Sequence, residues 1–94
     1  MIIRPEAEAD LANARDWYER QRAGLGAEFL LCVEEVLEHI GRTPEMYRVV
    51  YHDVRRALTR RFPCAVYYHI AGVDVVVSGI LHMRRDPREW QSRV

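Results

Sequence analysis

Between Val54 and Trp90 the chain reads VRRALTRRFPCAVYYHIAGVDVVVSGILHMRRDPREW, arginines alternating with β-branched and aromatic residues and broken twice by turn signals. Alternation with period two puts successive side chains on opposite faces, so this stretch demands an antiparallel sheet with one face packed and one left open. Val54–Arg61 is a predicted strand, Phe62-Pro63 a bend and Cys64–Ile70 a second strand. Ala71-Gly72 makes a tight turn into a third, Asp74–His82. Cys64, Val66, Tyr68 and Ile70 are expected on the packed face, with Ala65, Tyr67 and His69 opposite. The third strand is apolar on both faces, as a central strand would be. In the first, Arg56, Leu58 and Arg60 share one face and Arg55, Ala57, Thr59 and Arg61 the other; alternation does not choose between the two sets. Beyond Arg84-Arg85, Asp86 is placed as an N-cap and Pro87 as the first residue of a final helical turn.

The upstream half supplies the cover. Met1–Arg4 is a short edge strand, and Pro5 opens a helix with Glu6, Glu8 and Asp10 near its positive end. Ala7, Leu11, Ala14 and Tyr18 recur at helical spacing, flanked by Trp17, until Ala23-Gly24-Leu25-Gly26 turns the chain. A second helix, about Ala27 to Ile40, has Phe29, Val33, Val36 and Ile40 as its seam, widened by Leu30 and Leu37. Gly41, Thr43 and Pro44 end it, and Glu45–Asp53 is ambiguous between loop and strand. The expected fold class is α+β: an N-terminal helical hairpin packed on a small antiparallel β-sheet, in the order β-α-α-β-β-β with a short C-terminal helical turn.

Ninety-four residues, 49% of them hydrophobic, make one domain over residues 1–94. No apolar run reaches the roughly 18 residues of a membrane span, and MIIRPEAEAD lacks the basic start and apolar stretch of a signal peptide, so a cytoplasmic protein with no membrane role is expected. Cys32 and Cys64 fall inside a helical and a strand pattern, as small core residues rather than a disulfide or metal pair. The net charge of zero conceals a division: residues 1–47 hold ten acids and five arginines, residues 48–94 four acids and nine arginines. All fourteen basic residues are arginine, which pairs bidentately with carboxylate or phosphate.

No phosphate-binding loop, dinucleotide fingerprint, metalloprotease motif, paired-cysteine motif or serine elbow occurs, so no metal or cofactor is implied. What stands out is a band of arginines: Arg55, Arg56, Arg60, Arg61, Arg84, Arg85 and Arg88. A sheet that gathered them would carry a docking surface for an acidic protein segment or for nucleic-acid phosphates, or simply a solvated face.

WYERQRAGLGAEFL, VRRALTRRFPCAVYYHI and HMRRDPREWQSR, in this order along the chain, resemble the RelE/ParE superfamily of type II toxin–antitoxin modules, especially its ParE-like, plasmid-stabilisation branch. The resemblance implies a small α+β toxin bound by a cognate antitoxin whose C-terminal segment wraps the sheet and helices. ParE-type members poison DNA gyrase by binding; RelE-type members enter the ribosome and cut mRNA without metal, driving the ribose 2′-OH onto the adjacent phosphate. The RelE pattern lays only partly on this chain. Of its paired basic residues, Arg56 is kept and the other position is Leu58; a following arginine falls at Ala65. The arginine beyond the last strand is kept as Arg84 or Arg85, and the C-terminal tyrosine is replaced at best by Trp90, whose indole cannot exchange a proton as a phenol does.

The expected function is therefore a toxin acting by binding, with Arg56, Arg60, Arg61, Arg84, Arg85 and Trp90 contacting antitoxin or target and gyrase as the implied target. The alternatives are an endoribonuclease acting on ribosomal mRNA through Arg56, His82, Arg84 and Arg85, and an inert homologue that only binds antitoxin.

Overall fold

In the computed structural model, which describes residues 1–94, the elements run β1 (Ile2–Ile3), α1 (Pro5–Gln21), α2 (Leu25–Arg42), β2 (Arg48–Tyr51), β3 (Val54–Leu58), β4 (Cys64–Ala71), β5 (Asp74–His82) and α3 (Pro87–Gln91). Pro5 starts α1, where its missing N–H has no helical partner to lose, and Glu6 and Glu8 lie in the first turn. Between the helices Gly24 adopts φ 89°, a left-handed conformation that a side chain would strain. The Glu19 carboxylate accepts the N–H groups of Gly24 (2.9 Å) and Gly26 (3.0 Å), serving donors that the start of α2 leaves without helical partners. These two bonds hold the Glu19 carboxyl below the usual carboxylate range. Gly26 is buried because the helices meet there: a Cβ would lie 2.8 Å from the Arg15 carbonyl oxygen.

The helices bury their seams on one face of the sheet. Phe29, Cys32, Val33, Val36 and Ile40 of α2 meet Ala57, Cys64, Val66, Tyr68, Val75, Val77 and Ile80, with Ala7 buried among them and Leu11, Ala14 and Tyr18 packed alongside. Leu37 joins this core, but Leu30 does not; Cys32 widens the seam on its opposite flank. Each fully buried aliphatic or aromatic side chain contributes about 1.5–3 kcal/mol relative to exposure. Both cysteines are free and buried, as their placement in the apolar pattern implied. No helix is long and apolar enough to cross a membrane.

The sheet order is β1-β5-β4-β3-β2. β1 is the expected edge strand, but it pairs parallel with β5, through Ile2 with Val76 and Ile3 with Val77, so the sheet is mixed. The ambiguous segment Glu45–Asp53 contains β2, and four strands rather than three follow the helices. β3 stops at Leu58, short of the expected Arg61. The Thr59 hydroxyl bonds to the carbonyls of Phe62 (2.8 Å) and Cys64 (3.1 Å), and Arg61 takes φ 68°, so the backbone is already turning. β3 also resolves its undecided faces: Ala57 enters the core beneath the helices, which places Arg56 and Leu58 on the opposite face.

β4 keeps its alternation, with Cys64, Val66 and Tyr68 toward the helices and Ala65 and Tyr67 away. β5 does not, because its pairing with β4 slips: Tyr67 opposes Gly79 while Tyr68 opposes Val77, leaving Ser78 as the extra residue of a bulge. The bulge shifts the facing pattern, so Val75 and Val77 are followed on the helix side by Ile80 and by His82, which opposes Cys64.

Tyr68 lies fully buried and donates to the Pro44 carbonyl at 2.6 Å. Burial pushes its phenol up to about 12, and burial next to Cys64 does the same for Tyr18. A value raised above that of the unfolded chain, about 10, means stability that is complete below that pH and lost as pH climbs toward 12. Urea midpoints are expected to hold to about pH 10 and then fall, with a shallower fall for Tyr68→Phe. A profile with the same slope in both proteins would show that this phenol is not the titrating group.

Candidate functional site

The face of the sheet turned away from α1 and α2 is where side chains are free to act. Its own apolar cluster is Val54, Ala65, Tyr67, Leu81 and Trp90, with Val50 and Tyr51 alongside. The last turn of the chain builds this cluster. Asp86 caps α3 by accepting the Arg88 N–H at 3.0 Å, and Pro87 fills the first helical position. Trp90 then stacks on Tyr67 with ring centroids 4.2 Å apart and 15° between planes, and meets Tyr51 edge-on at 5.7 Å. Gly79 leaves room for Arg93 rather than for the indole: a Cβ there would stand 3.3 Å from an Arg93 guanidinium nitrogen, and at an ordinary 3.7 Å from the Trp90 Cβ. Trp90, expected to contact antitoxin or target, is only 5% exposed in the free chain and packs within this cluster.

Arg93 pins the helix in place. Its guanidinium holds the Asp10 carboxylate at 2.6 and 3.1 Å and the Ser78 carbonyl at 3.1 Å, while its own carbonyl accepts from Arg4 at 2.8 Å. Asp10 also accepts the Ile80 N–H at 3.0 Å, so one carboxylate ties α1, β5 and the C-terminus together.

The arginine band divides into separate groups rather than one patch. Arg55 turns toward the helix side and donates to the carbonyls of Glu45 (2.9 Å) and Tyr47 (2.7 Å), a structural use of its fork. Arg60 and Arg61 lie beyond the end of β3, against α2: Arg60 pairs with Glu35 at 2.9 Å, and Arg61 sits 5.7 Å over the Phe62 ring and 3.9 Å from Glu28. At the far end of β5, Arg85 pairs with Glu89, Arg88 with Asp86, and Arg84 is exposed with no ion pair. Hydrogen bonding from Arg85 holds the Glu89 carboxyl below its ordinary range. Of this band, Arg56 alone stands within the open face, beside Tyr67. Burial raises the Tyr67 phenol, and the nearby Arg56 charge works against that rise.

Sequence reasoning passed over Arg48. It lies on β2, directly opposite Arg56, which in turn opposes Tyr67, so both guanidinium groups rise from the open face. Alternation would have revealed it had Glu45–Asp53 been read as a strand. The Asp10–Arg93 pair had no local signal at all, its members being 83 positions apart.

His82 lies on the other side of the sheet. It lines a cleft of about 580 Å³ between α1 and the ends of β4 and β5, with Asp10, Trp17, Tyr18, Cys64 and Arg85. Its Nδ1 accepts the Arg84 N–H at 3.0 Å, and the Tyr18 hydroxyl and Cys64 sulfur lie 3.9 Å apart. Burial pushes the Cys64 thiol up, away from a reactive thiolate. Arg56 and His82, proposed partners in one catalytic set, thus occupy opposite faces.

No curated protein matches the chain. Among solved structures, a chain of the chromosomal ParDE TA system from P. aeruginosa superposes with a TM-score of 0.64 over 87% of this chain and 95% of its own. The two are 18% identical, so the likeness is one of fold. A family model, ParE toxin of type II toxin-antitoxin system, parDE, matches residues 1–87, and the chain belongs to that family.

Proposed function

We propose that this ParE-family chain acts by binding rather than by cutting RNA, with DNA gyrase as its target and a cognate antitoxin as the partner that silences it in the cytoplasm. The observation that carries this reading is the chemistry of the open face. Cutting an RNA strand by attack of the ribose 2′-OH on the adjacent phosphate needs a proton acceptor, a proton donor for the leaving 5′-oxygen and cations converging on that phosphate. Here the positions that RelE-like toxins fill with basic groups hold Leu58, 47% exposed, and Ala65, fully buried, and Trp90 lies flat on Tyr67. His82 points into the cleft on the opposite side. With zero net charge, the protein also lacks the excess of cations that neutralising a ribosomal surface requires.

The antitoxin contacts are assigned to Arg56, Arg84 and Arg85 first, with Arg60 and Arg61 as a second group on the α2 side. Guanidinium–carboxylate pairs are bidentate and weaken with salt when exposed. The test uses purified toxin freed of antitoxin in two assays, gyrase supercoiling and a translation extract. Inhibition of supercoiling with intact mRNA is the expected result. Codon-specific mRNA cuts that vanish in an Arg84→Ala/Arg85→Ala variant would overturn it, and activity in neither assay would favour a homologue that only binds antitoxin.

A further inference from the structure

Two like charges placed directly opposite each other across an antiparallel pair repel, with Cβ atoms about 4.5–5.5 Å apart. Arg48 on β2 and Arg56 on β3 are such a pair, and neither forms an ion pair with any carboxylate of the chain. Nine of the fourteen arginines do form one, and of the five that do not, these two stand directly opposite each other across a strand pair. The hairpin's own acids do not relieve it: Glu45 and Asp53 are exposed and make no ion pair. One flank of the pair is closed by Tyr67 under the Trp90 stack, and the other is open, because β2 ends the sheet and its outer backbone groups have no strand partner.

We infer that Arg48 and Arg56 form a two-pronged carboxylate site, which takes an aspartate or glutamate side chain of the antitoxin from a segment lying along the outer edge of β2. The site rests on the reading of the antitoxin as partner. A carboxylate between two guanidinium groups accepts a bidentate pair from one and a further N–H from the other, and cancels their repulsion. A single side-chain anion fits better than a nucleic-acid backbone: only these two cations stand unpaired on this part of the face, and a backbone brings a row of phosphates. The repulsion in the free toxin thereby becomes part of the affinity, since binding relieves it.

This arrangement sets stability against binding. Arg48→Gln and Arg56→Gln should each raise the melting temperature of the free toxin, and the double variant should add little to either, because the first replacement already removes the repulsion. Each single variant should weaken antitoxin binding about tenfold, with a smaller salt dependence. Oligoglutamate peptide and a short RNA serve as independent probes, read as thermal shifts of the toxin alone. Unchanged antitoxin affinity in both single variants, or a lower melting temperature in both, would overturn the site. If the unaltered toxin binds no antitoxin, while oligoglutamate stabilises it and not the double variant, the site stands and the antitoxin reading falls. Stabilisation by RNA alone, lost in the double variant, would overturn the carboxylate assignment.

Discussion

Replacing Phe29 by alanine is expected to cost about 3–5 kcal/mol, a large part of the roughly 5–15 kcal/mol that holds a domain folded. Phe29 is fully buried at the point where α2 meets the sheet. It packs against Tyr18 of α1 with centroids 5.0 Å apart and against Phe62 of the β3–β4 turn at 5.3 Å, while Tyr18 and Phe62 meet at 4.9 Å. Removing the central ring therefore takes a partner from two other aromatic side chains as well as leaving a cavity. Neighbours fixed in helices and a strand turn can collapse into it only in part. The measurement is the urea midpoint at constant m-value, compared with Leu31→Ala on the exposed side of the same helix, which should move little. Equal midpoints for the two variants would contradict the packing described.

Breaking the Asp10–Arg93 pair is expected to rank next. Their side chains are 10% and 17% exposed, so this ion pair is far better shielded than the others of the molecule. Losing one partner of a fully buried pair costs about 3–5 kcal/mol, because the survivor is left charged and uncompensated. This pair is part-buried and Arg93 keeps the Ser78 carbonyl, so the cost is expected at or below the low end of that range. Asp10→Ala also strips the Ile80 N–H of its acceptor, whereas Asp10→Asn keeps an oxygen for it. The order of stability should be Asp10, then Asn, then Ala. The same series should loosen α3, so that Trp90 loses its stack on Tyr67 and its fluorescence moves toward that of solvated indole, read in a Trp17→Phe background. Retention of the native Trp90 spectrum in Asp10→Ala would mean that the aromatic stack alone seats the helix.

These two clusters differ in how they could be read. Phe29, Val33, Val36 and Ile40 declare themselves by spacing, as do Cys64, Val66 and Tyr68, because a helix or strand sorts side chains with a period set by the local backbone. The α+β class, the helical hairpin, the capping Asp86-Pro87 and the free cysteines all follow from such local rules. β2 is ambiguous between loop and strand in the sequence because EMYRVVYHD carries a bulge between Val49 and Tyr51 that blurs its alternation.

What only the tertiary structure decided is which partner each polar side chain finds and which face an interrupted strand shows. Arg55, Arg56 and Arg60 are close in sequence, yet one satisfies loop carbonyls, one stands beside the Tyr67 phenol on the open face without an ion pair and one pairs with α2. The bulge at Ser78 carries His82 to the side opposite Arg56, and the C-terminal turn folds Trp90 into a buried cluster on the open face. Periodicity is a property of neighbouring residues and is written in the chain. A salt bridge across 83 positions, or a stack between a strand and a terminal helix, depends on how separate elements come to lie together, and no local pattern records it.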